Sequence, residues 1–129
     1  MSATEQQLHN LELVRGIYEA SFAREITPLL EAMDQDFEEQ VPPVLPWGGI
    51  HRGQEVFRTK VMPQVAAAID FNTMSLVSLS ADGDHVAALL TAKSSGGEEI
   101  WIAEHWTLRD GKVLASRVFY FDTRPLELR

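Results

Sequence analysis

Hydrophobic positions along this chain follow two periods, helical in the first half and strand-like in the second. Leu8, Leu11, Val14, Tyr18 and Phe22 recur at helical spacing, with Glu12, Arg15 and Glu19 outside the stripe. Ser2 and Thr4, each followed three residues later by Glu5 or Gln7, predict capping boxes for this first helix. Thr27-Pro28 predicts a short second helix through about Met33. From Asp36 to Val41 the period changes to two, with Phe37, Glu39 and Val41 alternating against Asp36, Glu38 and Gln40. The stretch from Pro42 to Gly53 is rich in proline and glycine and predicts no regular structure. Its Val44, Leu45, Trp47 and Ile50 are nonetheless too apolar for an idle loop, which suggests the mouth of a cavity. A third helix follows, with Val56, Phe57, Met62 and Val65 inward and a break at Pro63.

Four strands complete the pattern. Phe71–Ser80 and His85–Lys93 are joined by Ala81-Asp82-Gly83-Asp84, and Ser94-Ser95-Gly96-Gly97 leads into a hairpin running from Glu98 to Asp122. Asp110-Gly111, flanked by aromatic and β-branched runs, is the strongest hairpin signal in the chain. With those two as the central turn residues, Leu108 meets Val113, Trp106 meets Ala115, Glu104 meets Arg117 and Ile102 meets Phe119. A three-residue turn with a glycine bulge would instead slide the second strand by one and turn Arg117 to the other face. Helices followed by strands define an α+β fold, with one domain spanning residues 1–129. The expected architecture is a curved antiparallel sheet forming a cone, with about three helices packed on its concave face.

Composition narrows the function. A net charge of −8 argues against nucleic acid and against an anionic membrane surface. No apolar run approaches the ~20 residues of a membrane span, and the polar N-terminus shows no signal peptide. The absence of cysteine removes disulfides and thiol nucleophiles and fits a cytoplasmic protein. No His-Glu-x-x-His, phosphate loop, dinucleotide fingerprint or Gly-x-Ser-x-Gly is present, so neither cofactor nor metal is expected.

The order of elements, Gly49-Ile50-His51-Arg52-Gly53-Gln54-Glu55-Val56-Phe57, and Asp110-Gly111-Lys112-Val113 leading to Tyr120-Phe121-Asp122 together resemble the SnoaL-like group of the nuclear-transport-factor-2-like superfamily. That superfamily includes ketosteroid isomerase, scytalone dehydratase, limonene-epoxide hydrolase and polyketide cyclases. The resemblance implies a cone-shaped pocket and a homodimer. It also implies a catalytic aspartate three positions before a second one. If the second matches Asp122, the catalytic position holds Phe119, and a family histidine position holds Glu104. The general-base aspartate of the isomerases would fall near Glu38, Glu39 and Gln40.

Glu104 is the leading candidate for proton transfer, because apolar neighbours raise a carboxyl pKa and a nearby Arg117 would lower it. His51 is an acid–base candidate at the pocket mouth, or a residue capping the third helix. Trp47, Tyr18, Trp106, Phe119 and Phe121 are candidate pocket walls, and Glu38 is an outside candidate for a base. His105 is expected to face away from the pocket. The chemistry expected is cofactor-independent acid–base work on a small, apolar, oxygenated molecule, of cyclase, isomerase, dehydratase or hydrolase type. The alternative is a non-catalytic binding or scaffold protein whose cone is partly filled by Trp47, Trp106, Phe119 and Phe121. An outer face carrying Trp101, Ala103, Val118 and Tyr120 is expected to be covered by a second copy in a homodimer.

Overall fold

The computed structural model describes residues 2–127. Helix α1 (Ala3–Phe22) starts at the predicted cap, where the Ser2 hydroxyl accepts the Glu5 amide at 3.1 Å. Its buried face is Asn10, Val14, Ile17 and Tyr18, whereas Leu8 from the predicted stripe is 55% exposed. A polar residue holds the core position because the Asn10 amide donates to the Gly83 carbonyl at 3.2 Å and to the Asp84 carboxylate at 3.3 Å. Those bonds tie α1 to the turn between two strands, and Asn10 Oδ1 accepts from Gln6 Nε2 at 3.1 Å, so no buried polar atom of Asn10 is left to hydrate.

Helix α2 (Thr27–Ala32) carries Pro28 in its first turn and runs directly into strand β1 (Met33–Val41). The irregular stretch then buries Leu45 and Trp47 and contains a short strand, β2 (Gly49–Arg52), where no strand was expected. Gly48 is required by close approach: a Cβ there would collide with the Pro42 carbonyl oxygen. The third helix is continuous from Gln54 to Ala68, as α3 (Gln54–Val56), a π turn (Phe57–Val61) and α4 (Met62–Ala68). The predicted break at Pro63 is absorbed. The Met62 amide reaches back five residues to the Phe57 carbonyl, and this wider turn directly precedes Pro63, so the residue without an N–H is accommodated without ending the helix.

Strands β3 (Ile69–Asp82), β4 (His85–Ser94), β5 (Glu99–Arg109) and β6 (Lys112–Tyr120) complete a six-stranded open sheet in the order β2-β1-β6-β5-β4-β3. The sheet is mixed rather than wholly antiparallel, since β1 lies parallel to β6. Short turns announce the β3–β6 meander, but β1 meets β6 from the opposite end of the chain, a pairing with no local signal. The helices cover one face, with α1 and α4 against β3. No helix of the described residues is long and apolar enough to cross a membrane.

The hairpin turns at Asp110 (φ 51°) and Gly111 (φ 75°), the two positive values of a type I′ turn. Arg109 faces Lys112 and Leu108 faces Val113, as predicted. The register then slips, because Thr107 pairs with Ala115 and Leu114 is left as a bulge. From there every side chain of β6 is on the opposite face from the one expected. Arg117 faces His105, Val118 faces Glu104, and Phe119 points outward at 49% exposure.

Candidate active site

Between the helices and the concave face lies a cavity of about 110 Å³, walled by apolar and aromatic side chains. For scale, a dry apolar cavity of about 150 Å³ accommodates benzene. Two carboxyls, Glu39 and Glu104, reach it from β1 and β5, and Ser116, Val118 and Tyr120 of the intervening β6 line it between them. No lysine, arginine or histidine lines the cavity among the described residues.

Glu104 sits at the end of a directed hydrogen-bond relay. An indole nitrogen can only donate, so the 2.7 Å contact from Trp106 Nε1 makes the Tyr18 oxygen an acceptor. The Tyr18 hydroxyl hydrogen is then directed to Glu104 Oε1 at 2.5 Å. A bond this short fits a charge-assisted donor–carboxylate pair. Glu104 is half-buried, and the surface it keeps faces the cavity. Burial raises its pKa above the usual carboxylate value, and the Tyr18 hydrogen bond pulls it partly back. Burial, and then the neighbouring Glu104 charge, hold the Tyr18 phenol well above its ordinary value, so it remains a donor.

Glu39 is in a different environment. It is 7% exposed, and its Oε1 has no hydrogen-bond partner in the protein. Burial, aided by repulsion from Glu104, raises its carboxyl from 4.5 to about 8. At neutral pH it therefore holds its proton. The Tyr120 phenol, with the Trp47 indole beside it, is also kept protonated, mainly by burial. Two acids face one cavity, one with a hydrogen-bond donor to hold its charge and one without.

A match to the SnoaL-like domain covers residues 14–115. The chain belongs to the SnoaL-like family. Solved structures of the same fold include an NTF2-like protein of unknown function from Burkholderia pseudomallei, 19% identical, covering 92% of this chain and 97% of that one with a TM-score of 0.77. Bal32a, from a soil-derived mobile gene cassette, is 19% identical over 95% of this chain and 96% of its own, with a TM-score of 0.79. TerC, co-crystallized with polyporic acid, is 22% identical over 90% and 93% of the two chains, with a TM-score of 0.73. No curated protein matches the sequence significantly.

The structure sorts the candidate residues read from the sequence. Glu104, Tyr18, Trp47 and Trp106 all reach the cavity. Arg117 does not: the Leu114 bulge turns it to the outer face, in a groove with Glu38, Gln40 and His105, so no Glu104–Arg117 pair exists. His105 faces outward as expected, its ring stacked on His85 with centroids 5.0 Å apart. Phe119 and Phe121 are likewise outside, the latter 90% exposed, so neither fills the cone. Position 119 is therefore no stand-in for a family aspartate, because the pocket positions of β6 are 116, 118 and 120. The outer apolar face is also corrected: Phe119 and Phe121 join Trp101 and Ala103, Val118 leaves it for the cavity, and Tyr120 borders both the cavity and this outer groove.

His51 lies opposite Glu39 in the β1–β2 pair but does not line the cavity. Its Nε2 lies 2.7 Å from the Trp47 carbonyl, which can only accept, so the ring donates there and fastens the loop that carries Trp47. Glu38 points outward and pairs with Arg52 at 3.0 Å. The inward acid of β1 is its neighbour Glu39, which sequence reasoning does not single out as a candidate. The signal was present in the alternation that groups Glu39 with the core residues Phe37 and Val41.

Proposed function

We propose that this SnoaL-like protein is a cofactor-independent enzyme that performs acid–base chemistry on a small, largely apolar, oxygenated molecule, of isomerase, cyclase, dehydratase or hydrolase type. The observation that carries this reading is the unlike pair of carboxyls in one cavity. Titratable groups whose surroundings push their pKa values apart divide naturally into acid and base. Glu104, held by the Tyr18 hydroxyl, is the base that takes a proton from substrate. Glu39, neutral at pH 7 and with an unengaged oxygen, is the acid that gives one to a substrate oxygen. One proton enters the site as another leaves, so the site's charge is unchanged through the step. The aromatic walls exclude water and hold the carbon skeleton. Of the four side chains that the scaffold alternative has filling the cone, Trp47 and Trp106 do line the cavity, whereas Phe119 and Phe121 lie outside it, which weakens that alternative.

The test is turnover and solvent-deuterium incorporation, followed by NMR, across a panel of small cyclic enones, hydroxyketones and epoxides. Glu104→Gln and Glu39→Gln should each slow the reaction by about 10²–10⁴-fold, the usual share of a general acid or base. Rates should fall as pH rises through about 8, where Glu39 loses its proton. Turnover undiminished in the variant with both substitutions would remove the proposal.

A further inference from the structure

The cavity has a charge preference that the proposed chemistry does not use. Its lining carries two carboxyls and no cationic side chain among the described residues. Glu39 is more than nine-tenths buried and lines the cavity, with Oε1 unpartnered. Glu104 receives Tyr18 on Oε1 alone, which leaves Oε2 for a further donor. Around them stand Tyr18, Phe37, Trp47 and Trp106. Oxygen acceptors without donors, inside an aromatic box, match an alkylammonium group, which brings three N–H donors and a positive charge that aromatic faces attract. An organic carboxylate would instead meet the Glu104 charge and no counter-ion.

We propose that the cavity is a binding site for small hydrophobic amines, whose ammonium group sits between Glu39 and Glu104. The site is the one assigned above, but the binding does not rest on catalysis there. Below about pH 8 the incoming cation displaces the Glu39 proton to solvent, leaving ammonium against carboxylate. The titratable groups facing Glu39 are Glu104 from β5, Tyr18 from α1, Tyr120 from β6 and His51 across the β1–β2 pair. The helix from Gln54 to Ala68 adds only apolar side chains to the lining. With both glutamates engaged by an amine, neither is available to exchange protons with another molecule, so amines should inhibit any turnover.

Isothermal titration of the whole protein with isobutylamine, isobutyl alcohol and isobutyrate, three probes smaller than or close to benzene in size and different in charge, tests the assignment. Isobutylamine should bind at least about tenfold tighter than isobutyl alcohol at pH 7.5, and isobutyrate weakest. Isobutylamine affinity should rise by about tenfold per pH unit from pH 6 and level off above about 8, with close to one proton released per amine bound at pH 6.5. Glu39→Gln should abolish the proton release, and Glu104→Gln should weaken the amine more than the alcohol. Isobutyl alcohol binding as tightly as isobutylamine, or amine affinity independent of pH in the unmodified protein, overturns the proposal without any variant. The outcome is separate from that of the turnover panel. Amine binding without turnover of any oxygenated compound would refute the enzyme and keep the amine site, and turnover without amine binding would do the reverse.

Discussion

Replacing Glu39 by glutamine should change how stability depends on pH, and the size of the effect follows from the fold. Burial holds the folded carboxyl at about 8, against an ordinary 4.5. The unfolded chain thus releases this proton from about pH 4.5 upward, while the folded protein keeps it until about 8. The stabilisation is fully present below the lower value, is lost as pH rises between the two, and is gone above the upper one. At about 1.4 kcal/mol per pH unit the whole loss is roughly 5 kcal/mol, a large share of the 5–15 kcal/mol typical of a domain. Between pH 5 and pH 8 it is about 3 to 4 kcal/mol. Glu104 titrates with the same sign, so the unmodified protein should lose more than this, and only the difference between the two proteins isolates Glu39. Urea denaturation of both at pH 5, 6, 7 and 8 measures it. Glu39→Gln, which has no proton to lose, should gain on the original by about 3 to 4 kcal/mol as pH rises from 5 to 8. Stability curves that stay parallel across the range would refute the buried neutral acid.

Three other outcomes are expected. Tyr18→Phe removes the donor to Glu104 and orphans the Trp106 indole N–H, so it should cost about 1–3 kcal/mol in denaturation and raise the Glu104 titration midpoint seen by carboxyl NMR. Arg117→Met alters only the outer face, so the Glu39 midpoint should stay at about 8, and a marked shift would restore the Arg117–carboxyl contact that the Leu114 bulge abolishes. The exposed outer patch of Trp101, Phe119 and Phe121 should hold a homodimer, so sedimentation at tens of micromolar should give a dimer that Phe119→Glu dissociates, and a monomer in the unmodified protein would count against it.

Much of the fold is readable from local chemistry. The Ser2 cap, the proline-led second helix, the Asp-Gly turn and the inward face of β5 all follow from spacing and turn type. The site is less readable, for two physical reasons. Val113-Leu114-Ala115-Ser116 tolerates either face at each position, so the bulge at Leu114 leaves no mark in the hydrophobic pattern, yet it decides the direction of Arg117, Phe119 and Tyr120. The meeting of Glu39 and Glu104 depends on β1 lying beside β6, a contact between distant parts of the chain. Alternation alone placed Glu39 with Phe37 and Val41, but only the parallel pairing brings that face to Glu104's cavity.

The same bulge bears on why the two acids are there. A buried carboxyl kept for structure is ordinarily matched by a cation or by donors, because an unmatched one costs the fold whichever way it titrates. An arginine was within reach: without the extra residue at Leu114, Arg117 would occupy the pocket face of β6 next to Glu104. The chain instead turns it out toward Glu38 and His105, and fills the pocket face with Ser116, Val118 and Tyr120. Glu39 is left with an empty oxygen and a retained proton, and Glu104 with a single phenolic donor. An arrangement that forgoes an available counter-charge and accepts a penalty at neutral pH is poorly suited to stabilising the sheet. It is well suited to a cavity whose carboxyls must remain free to bind a cation or move a proton.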